Sequence, residues 1–146
     1  MSGQTDGTSA HGTGDTIIDL DTPFVDARGA IQPLIEAQMK SALLIESKAG
    51  AVRADHYHYT DWHYLYVLSG EMTYYYRPVG SEDAPKVIIV RAGELVFTPP
   101  MMEHRTDFPM DTVCLTLSRN ARDQAAYEAD VVRIQMPIEG AVRVGR

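Results

Sequence analysis

Four of the chain's five histidines, His56, His58, His63 and His104, fall in or just beyond two strand-like stretches. His56 and His58 are two residues apart, and a strand places residues i and i+2 on one face. Their rings would then aim the same way, about 7 Å apart along the strand, close enough to reach one ion between them. His63 opens the next strand-like run after a short turn, and an antiparallel return could bring it opposite the pair. Neutral imidazole suits iron, manganese, nickel, zinc or copper and does not by itself choose among them.

Other side chains near these stretches could move protons. Tyrosines cluster at Tyr57, Tyr59, Tyr64, Tyr66, Tyr74, Tyr75 and Tyr76, with Trp62 among them. Along Tyr74–Tyr76, strand alternation sends Tyr75 to the face opposite its neighbours, so at least one of these phenols faces a cavity. A cavity phenol can donate to a substrate oxygen or act as a general acid, and Tyr75 is the catalytic candidate. Glu103 directly precedes His104 and is the second, although in an extended segment adjacency would point it away from His104, into a salt bridge. Asp55 and Asp61 flank the histidines and could hold a ring nitrogen, or serve as turn residues, the role favoured for Asp61. Met101, Met102 and Met110 could rim a pocket mouth or simply pack. Cys114 reads as a small core residue.

The elements that must position these groups are short. β-like runs occur at Thr16–Leu20, Ala30–Leu34, Ser41–Ser47, His56–His58, His63–Leu68, Met72–Arg77, Lys86–Val90, Leu95–Thr98, Thr112–Leu117, Val131–Ile134 and Ala141–Val144. Glycine- and proline-containing breaks separate them, a pattern of an all-β sandwich or barrel. Alanines make Asn120–Ala129 the single helical candidate. Residues 1–15 are Gly, Ser, Thr and Asp with almost nothing apolar, which predicts a disordered tail; residues 16–146 form one domain.

Composition narrows the partners. At 146 residues, with 45% hydrophobic and 23% charged residues, the chain fits one soluble domain. No apolar run approaches the about 20 residues of a membrane span, no secretory signal opens the chain, and one cysteine fits a reducing compartment, so a cytoplasmic location is expected. The net charge of −7, from 13 Lys+Arg and 20 Asp+Glu, and the scattered basic residues argue against nucleic acid.

Two stretches carry a family resemblance. Gly50 to Gly70 reads G-x5-H-x-H-x4-H-x6-G and resembles the first motif of the cupins, with His63 in the slot usually held by glutamate. Gly93 to His104 is similar to the second cupin motif at Gly93, Pro99 and His104; it departs at Met101, where glycine is usual, and at Phe108, where asparagine is usual. Glycine in the Met101 slot would relax the backbone there. The resemblance implies an all-β jelly-roll barrel with one short C-terminal helix, and His56, His58, His63 and His104 as ligands of one divalent metal ion. With His63 replacing glutamate the ion keeps its full charge, making a stronger Lewis acid and a better home for an anion. Phe24-Val25-Asp26-Ala27-Arg28-Gly29 looks like the opening of cupin-fold nucleotide-sugar epimerases and ketoisomerases, which would place Arg28 near a sugar-nucleotide phosphate.

The resulting expectation is a metalloenzyme acting on a small oxygenated or anionic molecule by isomerase, epimerase or lyase chemistry. The alternatives are a non-haem iron dioxygenase and a ligand-binding cupin without turnover. Small cupins are frequently dimers, and outward tyrosines fit a homodimer face.

Overall fold

The computed structural model describes residues 17–145. The expected tail, residues 1–15, lies outside them, as does Thr16; of the first expected strand, only a bridge from Ile17 to Val96 forms. A hairpin of β1 (Phe24–Asp26) and β2 (Gly29–Ile31) comes first. It is followed by β3 (Ser41–Ser47), β4 (Val52–His58), β5 (His63–Ser69), β6 (Glu71–Pro78), β7 (Lys86–Arg91) and β8 (Leu95–Thr98). Then come β9 (Met102–Asp107), β10 (Thr112–Ser118), α1 (Gln124–Asp130), β11 (Val131–Arg133) and β12 (Val142–Arg143).

The strands build two larger sheets, in the orders β11-β4-β9-β6-β7-β12 and β3-β10-β5-β8. β9 inserts between β4 and β6, and β10 between β3 and β5, so neighbours in space are distant in sequence, as in a jelly roll. The all-β barrel expectation is met. Alternation builds the core between the sheets: Met72, Tyr74 and Tyr76 of β6 point inward with Ile88, Val90, Leu65, Val67 and Cys114, as period-2 side-chain geometry requires. The other face of the four-stranded sheet is apolar too. There Tyr64, Leu95 and Phe97 pack with Trp62 under Ile18, Leu20, Ile35 and Met39, so the segment before β3 clamps that sheet from outside.

β1 forms where no strand is expected, and two strands beside the site also differ from expectation. β9 reads Met-Glu-His-Arg-Thr-Asp and lacks an apolar face because its inward residues, His104 and Thr106, are polar. β4 starts earlier than His56 because it contains a bulge. The register with β9 shifts just after His104, and Ala54 and Asp55 both adopt positive φ, 64° and 62°. The helix starts later than Asn120. The Asp123 carboxylate caps it by accepting from Ala126 N at 3.1 Å, while Asn120 N is taken by Asp61.

Gly70, between β5 and β6, has φ +92°, and a Cβ there would overlap the Thr112 hydroxyl and the Asp111 carbonyl; only glycine fits. Cys114 is buried and unpaired by disulfide. Among the described residues no helix is long and apolar enough to cross a membrane.

Candidate metal centre

β4 and β9 bring three histidines onto the inner face of the six-stranded sheet. His104 pairs directly with His56, and His58 lies two residues along β4. The ligand nitrogens of His56, His58 and His104 all lie within 4.8 Å of one another. His63 sits on β5 of the opposite sheet, its ring 5.2 Å from that of His104 and 6.4 Å from that of His58. It faces the trio across the barrel rather than belonging to the tight group.

Hydrogen bonding orients these rings. His104 Nδ1 lies 2.9 Å from the Met102 carbonyl; a carbonyl only accepts, so Nδ1 carries the proton and Nε2 keeps its lone pair. His58 Nδ1 is buried without a hydrogen bond, 3.4 Å from Asp130 Oδ2, and the nearby carboxylate favours a proton there too. Asp130 is fixed in turn by Thr60 N at 2.8 Å, Thr60 Oγ1 at 2.7 Å and Asp61 N at 3.0 Å.

Electrostatics keep the cluster neutral. Burial, then the neighbouring His104 and His58, push His56 down to about 2. Burial takes His104 down to about 4 and His63 well below its usual value. His58 is also lowered by burial, against the opposing pull of Asp61 and Asp130. Neutral, converging imidazoles are the donor set a divalent transition metal takes. The residues present fit such an ion: His56, His58 and His104 could hold it, with His63 reaching from the other sheet.

The histidines line a cavity of about 410 Å³, within the range of small-molecule sites. Leu43, Ile45, Leu65 and Phe108 make part of its wall apolar, while Thr116 and Ser118 of β10 and Thr106 of β9 are polar. Thr116 Oγ1 is buried with no hydrogen-bond partner among the described residues. Arg53, Asp61, Tyr74, Arg122, Tyr127 and Arg133 also line it.

The two catalytic candidates face away from this cavity. Inward positions on β6 are Tyr74 and Tyr76; Tyr75, opposite Arg105 in register, lies on the outer face with that guanidinium 5.9 Å from its ring centre. Of Tyr74, Tyr75 and Tyr76, the one that lines the cavity is Tyr74, whose hydroxyl bonds Thr98 Oγ1 and whose ionisation burial strongly opposes. Glu103, beside inward His104, points out and accepts from Arg77 Nε and Nη2 at 3.1 and 3.0 Å.

Other sequence candidates also resolve. Asp55 accepts from Met136 N at 2.9 Å, and the carboxylate beside a histidine nitrogen is Asp130. Asp61 is buried, accepts from Asn120 N at 2.9 Å and lines the cavity, and burial raises its carboxyl. Arg28 sits on the exposed β1–β2 hairpin, paired with Asp26. Neither it nor Met101, Met102 or Met110 lines the cavity. Asp130, Thr116, Arg122 and Tyr127 are the site residues that sequence reasoning did not single out; Asp61, flanking the histidines, carries a local signal, although its sequence context favours the turn role.

Comparison with known proteins agrees with this architecture. No curated protein matches the chain. Solved structures do: QdtA, a 3,4-ketoisomerase from Thermoanaerobacterium thermosaccharolyticum crystallised with TDP, is 22% identical with a TM-score of 0.64, over 80% of this chain and 85% of that one. A 3,4-ketoisomerase from Helicobacter canadensis is 20% identical with a TM-score of 0.66, over 80% and 88%. CapF, a capsular polysaccharide assembling protein of Staphylococcus aureus, is 22% identical with a TM-score of 0.60, and the match spans 81% of this chain but 35% of CapF. At these identities the likeness establishes the fold. The cupin domain family model matches residues 43–118, which include all four clustered histidines, and the chain belongs to the cupin family.

Proposed function

We propose that the protein is a metal-dependent enzyme of isomerase type, acting on a small, oxygen-rich keto compound of sugar-like size. His56, His58, His63 and His104 hold its single divalent ion. The observation that carries this reading is the convergence of the His56, His58 and His104 nitrogens within 4.8 Å, with His104 oriented from behind by Met102 and His58 by Asp130. Support for the reaction class comes from the fold's likeness to sugar 3,4-ketoisomerases, one of them crystallised with TDP-4-keto-6-deoxyglucose.

When bound, the ion supplies Lewis acidity toward a carbonyl oxygen. The chain's own residues do the rest. Asp61 is the carboxylate on the cavity wall, and burial lifts it toward neutrality. It can take the proton from the hydroxyl-bearing carbon beside a carbonyl and return it to the former carbonyl carbon, while the hydroxyl proton passes to the former carbonyl oxygen. Tyr74 stays protonated and hydrogen-bonded to Thr98, bracing the wall behind His104, with which its ring stacks at 6.3 Å.

The reading is tested by incubating the metal-loaded protein with TDP-4-keto-6-deoxyglucose in deuterated water and following the sugar by NMR. Deuterium entering beside the carbonyl, abolished by chelation and by Asp61→Asn, is the expected result. Exchange that survives complete metal removal overturns the metal's role, and no exchange at all overturns the isomerase reading.

Two copies are proposed to associate through the β1–β2 hairpin, where Phe24, Val25 and Ile31 are 60%, 67% and 66% exposed, an apolar patch of the kind that marks contacts. Gel filtration at the monomer mass would remove this suggestion.

A further inference from the structure

Arg122 is a cation on the cavity wall that has no counter-ion among the described residues. Arg28, Arg77, Arg105 and Arg133 each pair with a carboxylate, respectively Asp26, Glu103, Asp107 and Glu128. Arg53, also on the cavity wall, is held by neutral oxygens, Ser47 Oγ at 2.7 Å and the Glu46 carbonyl at 2.9 Å. Among the described residues, the contact recorded for the Arg122 guanidinium is with the Tyr127 ring, 4.1 Å from its centre. Tyr127 in turn packs edge-on against His58 at 5.6 Å. A guanidinium stacked on a ring keeps its N–H edge available and loses little freedom on binding.

A second hollow of about 220 Å³ adjoins the metal cavity, and Asp61, Arg122 and Tyr127 line both. Lys40 and Asn120 stand on its far wall. The two aspartates here are directed at other donors and form no ion pair with Arg122. Asp130 is occupied by Thr60 N, Thr60 Oγ1 and Asp61 N, and Asp61 by Asn120 N. In a chain of net charge −7, a guanidinium that no carboxylate pairs among the described residues, set where the two cavities meet, offers its N–H donors to an anion.

We propose that Arg122, held flat by Tyr127, anchors the anionic group of the substrate at the junction of the two cavities, while the substrate's oxygenated carbons extend toward the histidines. This rests on the reading of the cavity as the substrate site and adds the ligand's class: a hydroxylated or ketonic compound bearing a phosphate or carboxylate. Tyr127 is the positioning residue.

Calorimetric titration of the metal-loaded full chain with glycerol phosphate, glycerate and glycerol tests it on one carbon skeleton. Both anions bind and glycerol does not; a preference for phosphate or for carboxylate identifies the anion. Arg122→Gln weakens the anions by about tenfold or more, as loss of a charge-assisted bond does, without changing zinc affinity. Tyr127→Leu weakens them less, and Arg122→Lys recovers part of the loss. Glycerol binding as well as the anions, or unchanged anion affinity in Arg122→Gln, overturns the proposal. Elemental analysis of the same preparations separates the two readings. Protein that takes no metal but binds glycerol phosphate through Arg122 keeps the anion site and removes the metal. Metal-loaded protein indifferent to every anion does the reverse.

Discussion

His104 of β9 and His56 of β4 are direct partners across the six-stranded sheet, and the register slips immediately after them. Arg105 then faces Ala54, leaving Asp55 as the unmatched residue. A bulge bends its strand and re-aims the side chains that follow; here it presents His56 and His58 to the face that holds His104. Ala54 and Asp55 reach this geometry in the left-handed region, which costs a non-glycine residue about 1–2 kcal/mol. The strain sits beside the site it shapes, where strained backbone tends to concentrate, and the bonds from Ile134 N to the Asp55 carbonyl and from Met136 N to its carboxylate hold it in place.

Met101 is a second left-handed residue, φ 60°, at the turn into β9, in the slot where the family's motif carries glycine. Met101→Gly relieves that strain while adding chain entropy to the unfolded state. The balance predicts a gain of up to about 1 kcal/mol, read by urea unfolding; a loss of stability would show that the methionine's packing outweighs its backbone strain.

Glu103 and Tyr75 serve the barrel's outer surface. Glu103→Gln weakens the pair with Arg77, whose side chains are 14% and 17% exposed, and is expected to lower stability by about 1–3 kcal/mol with metal content and turnover intact. Tyr75→Phe leaves all three unchanged. Turnover falling more than tenfold in either variant, at full metal content, would return that residue to the catalytic machinery.

Thr116 has a buried hydroxyl with no partner among the described residues, and an unsatisfied buried hydroxyl costs about 1–3 kcal/mol. Replacing it with the isosteric valine is expected to raise the melting temperature by a few degrees. A lower melting temperature would mean that the hydroxyl is satisfied in solution.

Cys114 gives the pH dependence a definite sign. Burial pushes its thiol up to about 11 from an ordinary value of 9, so the folded protein keeps a proton that the unfolded chain loses. The associated stability is complete below pH 9 and falls by about 1.4 kcal/mol per unit between 9 and 11. Comparing the pH slopes of unfolding free energy in wild type and Cys114→Ala isolates this part; identical slopes would contradict it. Alkylation of native Cys114 at neutral pH should accordingly be slow.

The residues that announced themselves in the sequence were those whose local pattern and structural role coincide. Ser41–Ser47 and Leu95–Thr98 alternate or pack continuously, and their strands have the expected ends. The H-x-H pair read correctly as one face of a strand because period-2 geometry is local. β9 did not, since the cavity needs His104 and Thr106 where a core strand would carry apolar residues. Asp130 stands beside His58 only through folding, 72 positions away in the chain, and Arg122 sits in a polar linker whose composition says nothing of the cavity beside it. Alternation separates Tyr75 from Tyr74 and Tyr76 without saying which of them faces in, and the structure turns Tyr74 to the cavity.

The central claim is that the four histidines hold one divalent ion, and metal stoichiometry tests it most directly. Elemental analysis of purified wild type, His56→Ala and His104→Ala, each stripped and then titrated with zinc, should give close to one ion per wild-type chain. Both variants should lose affinity by more than the roughly tenfold to hundredfold seen when only an outer hydrogen-bond partner is removed. Wild type that takes up no metal, or both variants retaining wild-type affinity, would contradict the account.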